Sequence, residues 1–400
     1  MGLFGSVPLD WNVALLEAVR AESTSPNTAV RNFAILHAAI HDGVNVVEGK
    51  YKTYTDHGER CPDLDAGAVA TGAAFRVAGV LYPSRMPVFE KVLGEFRDGF
   101  AGDKELLSKS LERGYGVADV ILKLREDDGA STQVTYVPVE QIGKWRRTPN
   151  RFRPPEQPHW RYVKPFCIPS VEPFLPPPPP ALDSKEYAEA LEEVRKIGAK
   201  DSRFRTEEQS RIAKFWADFS YTESPPGHWN HIAGDIVRLE NLSLVEAARL
   251  YALLNLTMAD AGIVAWEAKY RYHFWRPVHS IRAAEKDGNP ATRPDRDWEP
   301  FLESPPHPEY VSGHSTYSAA GARALELFMG KDHYNFVTHS DTLKGVSRKF
   351  SSFSACAEEC GRSRIYGGIH YQFSNVNGLD AGRKFAYSVF NEHLIKVNNE

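Results

Sequence analysis

Apolar residues recur at helical spacing along most of this chain, and that recurrence limits its fold more than any other property. In SPNTAVRNFAILHAAIHDGVNVVEG, Ser25 is placed to cap a helix and Pro26 suits its first position. Ala29, Phe33, Leu36, Ile40 and Val44 then repeat at three- and four-residue intervals. The same pattern predicts helices over about 66–82, 85–101, 104–125, 184–198, 206–219, 243–272, 313–329, 342–361 and 378–397. Strand-like alternation is scarce, and TQVTYVPVE at 132–140 is its main instance. An all-α fold is expected. Four hundred residues with 42% hydrophobic content can bury one large core or two fused ones.

The stretch from 128 to 183 is different, being rich in Pro, Trp and Arg and ending in FLPPPPPALDS. Polyproline suits a stiff connector, while Trp145, Trp160, Tyr162 and Phe166 suit a segment wrapped over a shared core. The expected organisation is an N-terminal helical region (1–127), a Pro/aromatic-rich connector (128–183) and a C-terminal helical bundle (184–400). Two packed bundles would then form one compact soluble unit.

A formal net charge of −4 gives no broad basic surface, so nucleic acid and anionic membranes are not expected partners. No run reaches the ~20 apolar residues needed to cross a bilayer. The start, MGLFGSVPLDW, lacks a basic region followed by an apolar segment. No signal peptide is therefore expected, and a cytoplasmic location is favoured. The four cysteines are too few and scattered for a disulfide framework; Cys356 and Cys360 read as buried thiols rather than a zinc pair.

Against this weakly acidic background, three cations stand out. Lys269 and Arg276 in KYRYHFWRP are almost two helical turns apart and are expected on one helix face. Pro277 should end that helix and leave the Arg276 guanidinium at a terminus, able to grip an oxyanion. A solvated basic face would explain the same spacing. Ser312-Gly313-His314 precedes an apolar helical pattern, as an anion-binding turn or as a simple cap. Arg364 and His370 flank Gly367-Gly368, which can break a helix and turn both residues towards one pocket. Jointly these groups suit a tetrahedral oxyanion, phosphate or its mimic vanadate.

The series of Lys, six residues, Arg-Pro, then Ser-Gly-His, then Arg, five residues, His resembles the signature of the vanadium-dependent haloperoxidases. That signature is shared with type 2 phosphatidic-acid phosphatases and bacterial class A acid phosphatases. Val311 stands where Pro usually precedes Ser-Gly-His. WNVALLEAVR…ILHAAIHDGVN and PPGHWNHIA look similar to soluble bacterial members.

The resemblance implies a vanadate cofactor with His370 as its one protein ligand. Lys269, Arg276, Ser312, the Gly313 amide and Arg364 would hold the oxygens, with His314 as acid–base and the site at the mouth of the C-terminal bundle. Hydrogen peroxide, a halide and a small organic acceptor would be the reactants. A histidine-nucleophile acid phosphatase, with phosphate in the same site, is the alternative. Three further positions carry over: Trp266 beside the anion, His307 as a marker of bromide or iodide rather than chloride oxidation, and Asp218 as the carboxylate orienting Arg364. His228 and His273 carry no expected role. Ser374 departs from the pattern, since relatives commonly have Asp four residues after the ligating His; a carboxylate would then be absent or supplied elsewhere. Association with copies of itself is expected by analogy with relatives.

Overall fold

In the computed structural model, residues 6–219 and 221–397 are described; the first five residues of the MGLFGSVPLDW start lie outside them. The N-terminal bundle comprises α1 (Val7–Ala21), α2 (Pro26–Glu48), α3 (Ala66–Leu81), α4 (Met86–Gly99) and α5 (Lys104–Arg125). After a long irregular stretch come α6 (Lys185–Ile197), α7 (Glu207–Phe215), α8 (Ser224–Leu239), α9 (Leu244–Tyr272) and α10 (Pro277–Arg282). Helix α11 (Gly313–Met329) follows, then strands β1 (His333–His339) and β2 (Ser347–Ser352), and finally α12 (Phe353–Tyr366) and α13 (Gln372–Glu392). No helix of the described residues is long and apolar enough to cross a membrane.

Helix α9 is the element the two bundles share. Ser243 and Glu246 form a capping box at its start, and nearly every residue from Val245 to Tyr270 is buried. One side packs on α2 and the other on α11 and α13. A helix apolar all round belongs inside a protein, and α9 does so here. Helix α13 crosses α11 closely: a Cβ on Gly382 would lie 2.4 Å from the Thr316 carbonyl oxygen. That approach sets α13 over the first turns of α11.

The connector contains no α-helix, only single 3-10 turns at Trp160–Tyr162 and Glu172–Phe174. It has no core of its own: Trp160, Val163, Phe166 and Ile168 join the shared core, and polar ties add to their hold. Arg125 donates to Lys164 O (2.5 Å) and Pro165 O (3.1 Å), and its guanidinium lies 3.7 Å from the Phe166 ring centroid. Asp260 of α9 accepts from the Phe166 and Cys167 amides at 2.6 and 2.7 Å. Arg161 is bidentate to Glu267 at 2.8 and 2.7 Å.

Several expectations change. The 132–140 run is not a strand: Val134, Val137 and Val139 are exposed, and no second strand pairs with them. Alternation without a partner and a buried face does not make a sheet. The span expected as one helix over 342–361 is instead β2 followed by α12. β2 pairs antiparallel with β1, and the Phe336, Phe350 and Phe353 rings pack there. Ser352 then caps α12, accepting from the Ala355 amide at 3.1 Å. The last helix begins at Gln372 rather than 378. Helix α7 stops at Phe215, four residues early, and residues 216–219 turn towards the cavity described next.

Candidate functional site

Helix α9 ends where His273 adopts the left-handed conformation (φ +53°) and its amide reaches Lys269 O at 3.0 Å. The chain then runs extended through Arg276, which stands before Pro277 as the N-cap of α10. Lys269 and Arg276 are thus not on one helix face, as their spacing suggested. What gathers them is the loop before α11. Lys269 Nζ donates to Pro308 O (3.3 Å), Glu309 O (3.0 Å) and Val311 O. Burial, with Arg276 alongside, pulls the Lys269 pKa well down; three carbonyl acceptors favour the ammonium, because a neutral amine has only two N–H donors. Arg276 Nε donates to His307 O at 3.0 Å and Nη1 to Ile369 O at 2.8 Å. Both side chains are fully buried.

Helix α11 opens at the same place. Ser312 caps it, its Oγ accepting from the Ser315 amide (3.3 Å) and hydroxyl (2.8 Å). Gly313 and His314 are the first helical residues, so their amides belong to the unsatisfied N-terminal set. The cap and the anion-binding turn are the same structure. His314 Nε2 is buried without a partner, and burial followed by the Arg364 charge pushes its pKa well below the usual range.

Helix α12 carries Arg364 in its last turn and ends at Gly367. Gly368 has φ +75°, and a Cβ there would sit 2.2 Å from Gly198 O. Only glycine fits that crossing, which reverses the chain and brings His370 to the same cavity as Arg364. Arg364 Nη1 donates to Trp216 O at 2.6 Å, while its Nε is buried and unpartnered. Burial lowers Arg364 and Arg276 to about 10 each, still cationic at neutral pH.

His370 is held on both ring nitrogens: Nδ1 lies 2.6 Å from Glu309 Oε1 and Nε2 lies 3.1 Å from Arg276 Nη1. Arginine only donates, so Nε2 is the acceptor and Nδ1 carries the hydrogen. Burial, then the charges of Arg276 and Lys269, hold the His370 pKa well down, so the ring is neutral. By the same logic His307 Nδ1 accepts from Arg276 Nη2 at 2.9 Å, which puts the His307 proton on Nε2.

These elements enclose a cavity of about 380 Å³. Gly313, His314, Arg364 and His370 line its inner wall with Trp266 and His307; the last two rings are 5.1 Å apart by centroids. Lys269, Arg276 and Ser312 are not on the wall; they stand behind it, gripping the residues that are. The mouth carries Arg151, Arg153 and Glu156 from the connector, and Glu303.

Asp218 lines the cavity but does not hydrogen-bond Arg364, and its two oxygens have no hydrogen-bond partner. Its near neighbour is His228, with Nδ1 at 3.4 Å. Burial of His228 opposes its charging, but Asp218 wins and raises its pKa. His273 lies outside the cavity wall, with Nδ1 2.7 Å from Tyr136 Oη. Ser374 Oγ lies beside the Glu309 carboxyl without forming a well-aligned hydrogen bond.

Sequence reasoning missed Glu309. The available signal was the one acid within SPPHPEYVSG, three residues before Ser312. Glu156 was missed as well; only the wrapping of the connector, with its amide on Pro306 O at 2.8 Å, brings it to the mouth.

The described residues form a mostly helical protein of two packed bundles, with a pocket backed by buried cations. This chain matches the profile of the VCPO second helical-bundle domain over residues 249–399. It is 26% identical over 397 residues to the vanadium chloroperoxidase of Curvularia inaequalis, a match covering 78% of this chain and 64% of that protein, just under two thirds of its length. A solved structure described as the first bacterial vanadium-dependent iodoperoxidase superposes with a TM-score of 0.86 at 28% identity, over 100% of this chain and 99% of that one. A bacterial vanadium-dependent chloroperoxidase in its holo form shares the fold at a TM-score of 0.75 and 16% identity, with 92% of each chain covered.

Proposed function

We propose that this chain is a vanadate-dependent haloperoxidase that oxidises bromide or iodide with hydrogen peroxide. One observation carries the reading: a neutral His370 with Nε2 as acceptor shares a cavity with Arg364 and His314, whose Nε and Nε2 atoms are buried and unpartnered. A cationic donor left over in a buried wall matches an anion, and a neutral imidazole nitrogen matches its central atom.

The residues present fit vanadate. His370 Nε2 would be its direct ligand, and Arg364 and the Gly313 amide would hold its oxygens. Ser312 would support them from the helix cap, while Lys269 and Arg276 neutralise charge from behind the wall. Vanadate, when bound, supplies a Lewis-acidic centre at which hydrogen peroxide is activated for oxygen transfer. His314, kept neutral by burial, takes the proton from incoming peroxide and returns it to the departing oxygen. The halide gives two electrons to the peroxide O–O bond and, with one further proton taken up from solvent, hypohalous acid and water leave; a small organic acceptor takes the halogen. The 28%-identical structure described as an iodoperoxidase supports iodide or bromide over chloride, as does His307, whose Nε2–H donor stands beside Trp266 on the wall.

The same neutral His370 could attack phosphorus, with His314 protonating the leaving alcohol, so a phosphomonoesterase is the second reading. A side-by-side assay separates them. Protein reconstituted with orthovanadate is tested for bromination and iodination of a diketone with peroxide; vanadate-free protein is tested for phosphate-ester hydrolysis. Vanadate-dependent halogenation with negligible hydrolysis is expected, and hydrolysis without halogenation would overturn the proposal.

A further inference from the structure

We propose that Glu309 is the positioning residue of this site: it selects the His370 tautomer, leaving Nε2 as the acceptor nitrogen, and fixes the ring in place. Glu309 is fully buried, and its Oε1 accepts from both His370 Nδ1 (2.6 Å) and the Tyr371 amide (3.1 Å). Two donors from consecutive residues fix the carboxyl oxygen against the chain that carries His370, so the ring cannot turn without breaking that bond. The position that would supply a carboxylate from the same helix, Ser374, has a hydroxyl that lies beside Glu309 without forming a well-aligned hydrogen bond. The acid reaches His370 from 61 residues earlier in the chain.

Glu309 is also tied into the rest of the wall. Its carbonyl accepts from Lys269 Nζ at 3.0 Å, and its amide donates to Phe274 O at 2.9 Å. Its neighbour two residues back, His307, accepts from Arg276. One short loop thus sets the orientation of a lysine, an arginine and two histidines. A histidine that must present one nitrogen to a central atom needs its other nitrogen occupied by an acceptor, and such outer partners are worth about 10–100-fold in affinity.

The inference deepens the proposed reading and rests on it for the identity of the anion, but its first test needs no vanadate. Protein carrying 15N-labelled histidine should show His370 with Nδ1 protonated and Nε2 bare. An Nε2–H tautomer in the wild-type protein would overturn the proposal outright. Glu309→Ala should mix the two tautomers and weaken binding of orthovanadate and of inorganic phosphate about 10–100-fold by calorimetry. Glu309→Gln, which keeps the acceptor and the side-chain volume, should restore the wild-type tautomer and part of the affinity. Circular dichroism checks that each variant is folded. Should Glu309→Ala fail to fold, the wild-type tautomer and the response of Glu309→Gln still decide. Unchanged tautomer and affinity in a folded Glu309→Ala would leave Glu309 no positioning role. Wild-type protein that binds phosphate but not vanadate, with the Nδ1–H tautomer present, would sink the haloperoxidase reading and spare Glu309.

Discussion

Among the three cations, Arg364 alone reaches the cavity with donors to spare. Lys269 and Arg276 spend their N–H groups on the carbonyls of residues 307–311 and 369 and on two histidine rings, whereas Arg364 makes one bond to Trp216 O and leaves Nε bare. Truncating Arg364 should therefore cost anion binding more directly than fold. Arg364→Ala is expected to lose about 1.5–3 kcal/mol, roughly 10–100-fold in affinity for orthovanadate, with little change in thermal unfolding; titration calorimetry and a melting curve check both halves. The sequence pattern singled out seven residues that the fold does gather in and behind one cavity wall. Their division of labour was not legible, because it depends on the path of the loop at 304–311. Nor was Glu309, since nothing in a one-dimensional pattern says which acid will meet which imidazole across 61 residues.

Two helix starts were marked by caps: Ser25-Pro26 and Ser312 stand where α2 and α11 begin. Helix ends and short strands were not. β2 has no purely local signal, because SRKFSS becomes a strand through its pairing with His333–His339. Helix α7 ends early because Trp216 O is drawn to Arg364, a tertiary cause invisible in the pattern. Gly367-Gly368, by contrast, was correctly legible as a break, and the turn it makes is tightly built. Gly368→Ala should be destabilised by at least about 1–3 kcal/mol from backbone strain, with the clash on Gly198 O added, as urea denaturation can measure. Because His370 lies two residues on, anion affinity should fall in the same variant.

At the scale of the whole molecule, the connector is joined to the bundles by buried polar ties, and Asp260 is the deepest of them. Burial raises its carboxyl to about 7 despite the Phe166 and Cys167 amides that favour the ionised form. An acid whose folded pKa is raised keeps its proton where the unfolded chain gives it up, so between about pH 4 and 7 its contribution to stability falls as pH rises. Asp260→Asn does not titrate. The stability of the wild type relative to this variant should therefore decline across that window, as denaturation at a series of pH values would reveal. An opposite slope would mean that the two amides outweigh burial. That the chain is helical and carries an irregular middle could be read from composition and periodicity. That α9 serves as a common wall could not, since an apolar helix does not announce how many neighbours it has.

The two cations behind the wall have one more consequence, for how the pocket responds to its solution. Mobile ions screen charges within about 8–10 Å at ordinary ionic strength, but only where water and ions can reach them. Lys269 and Arg276 are fully buried, whereas Arg151 and Arg153 at the mouth have side chains 72% and 41% exposed. Raising the concentration of a weakly coordinating salt should therefore slow the capture of orthovanadate several-fold while barely changing how long it stays. Stopped-flow association and dissociation rates would separate the two. The inner potential is a property of the folded chain and the outer one a property of the medium, so equilibrium binding should lose only what capture loses.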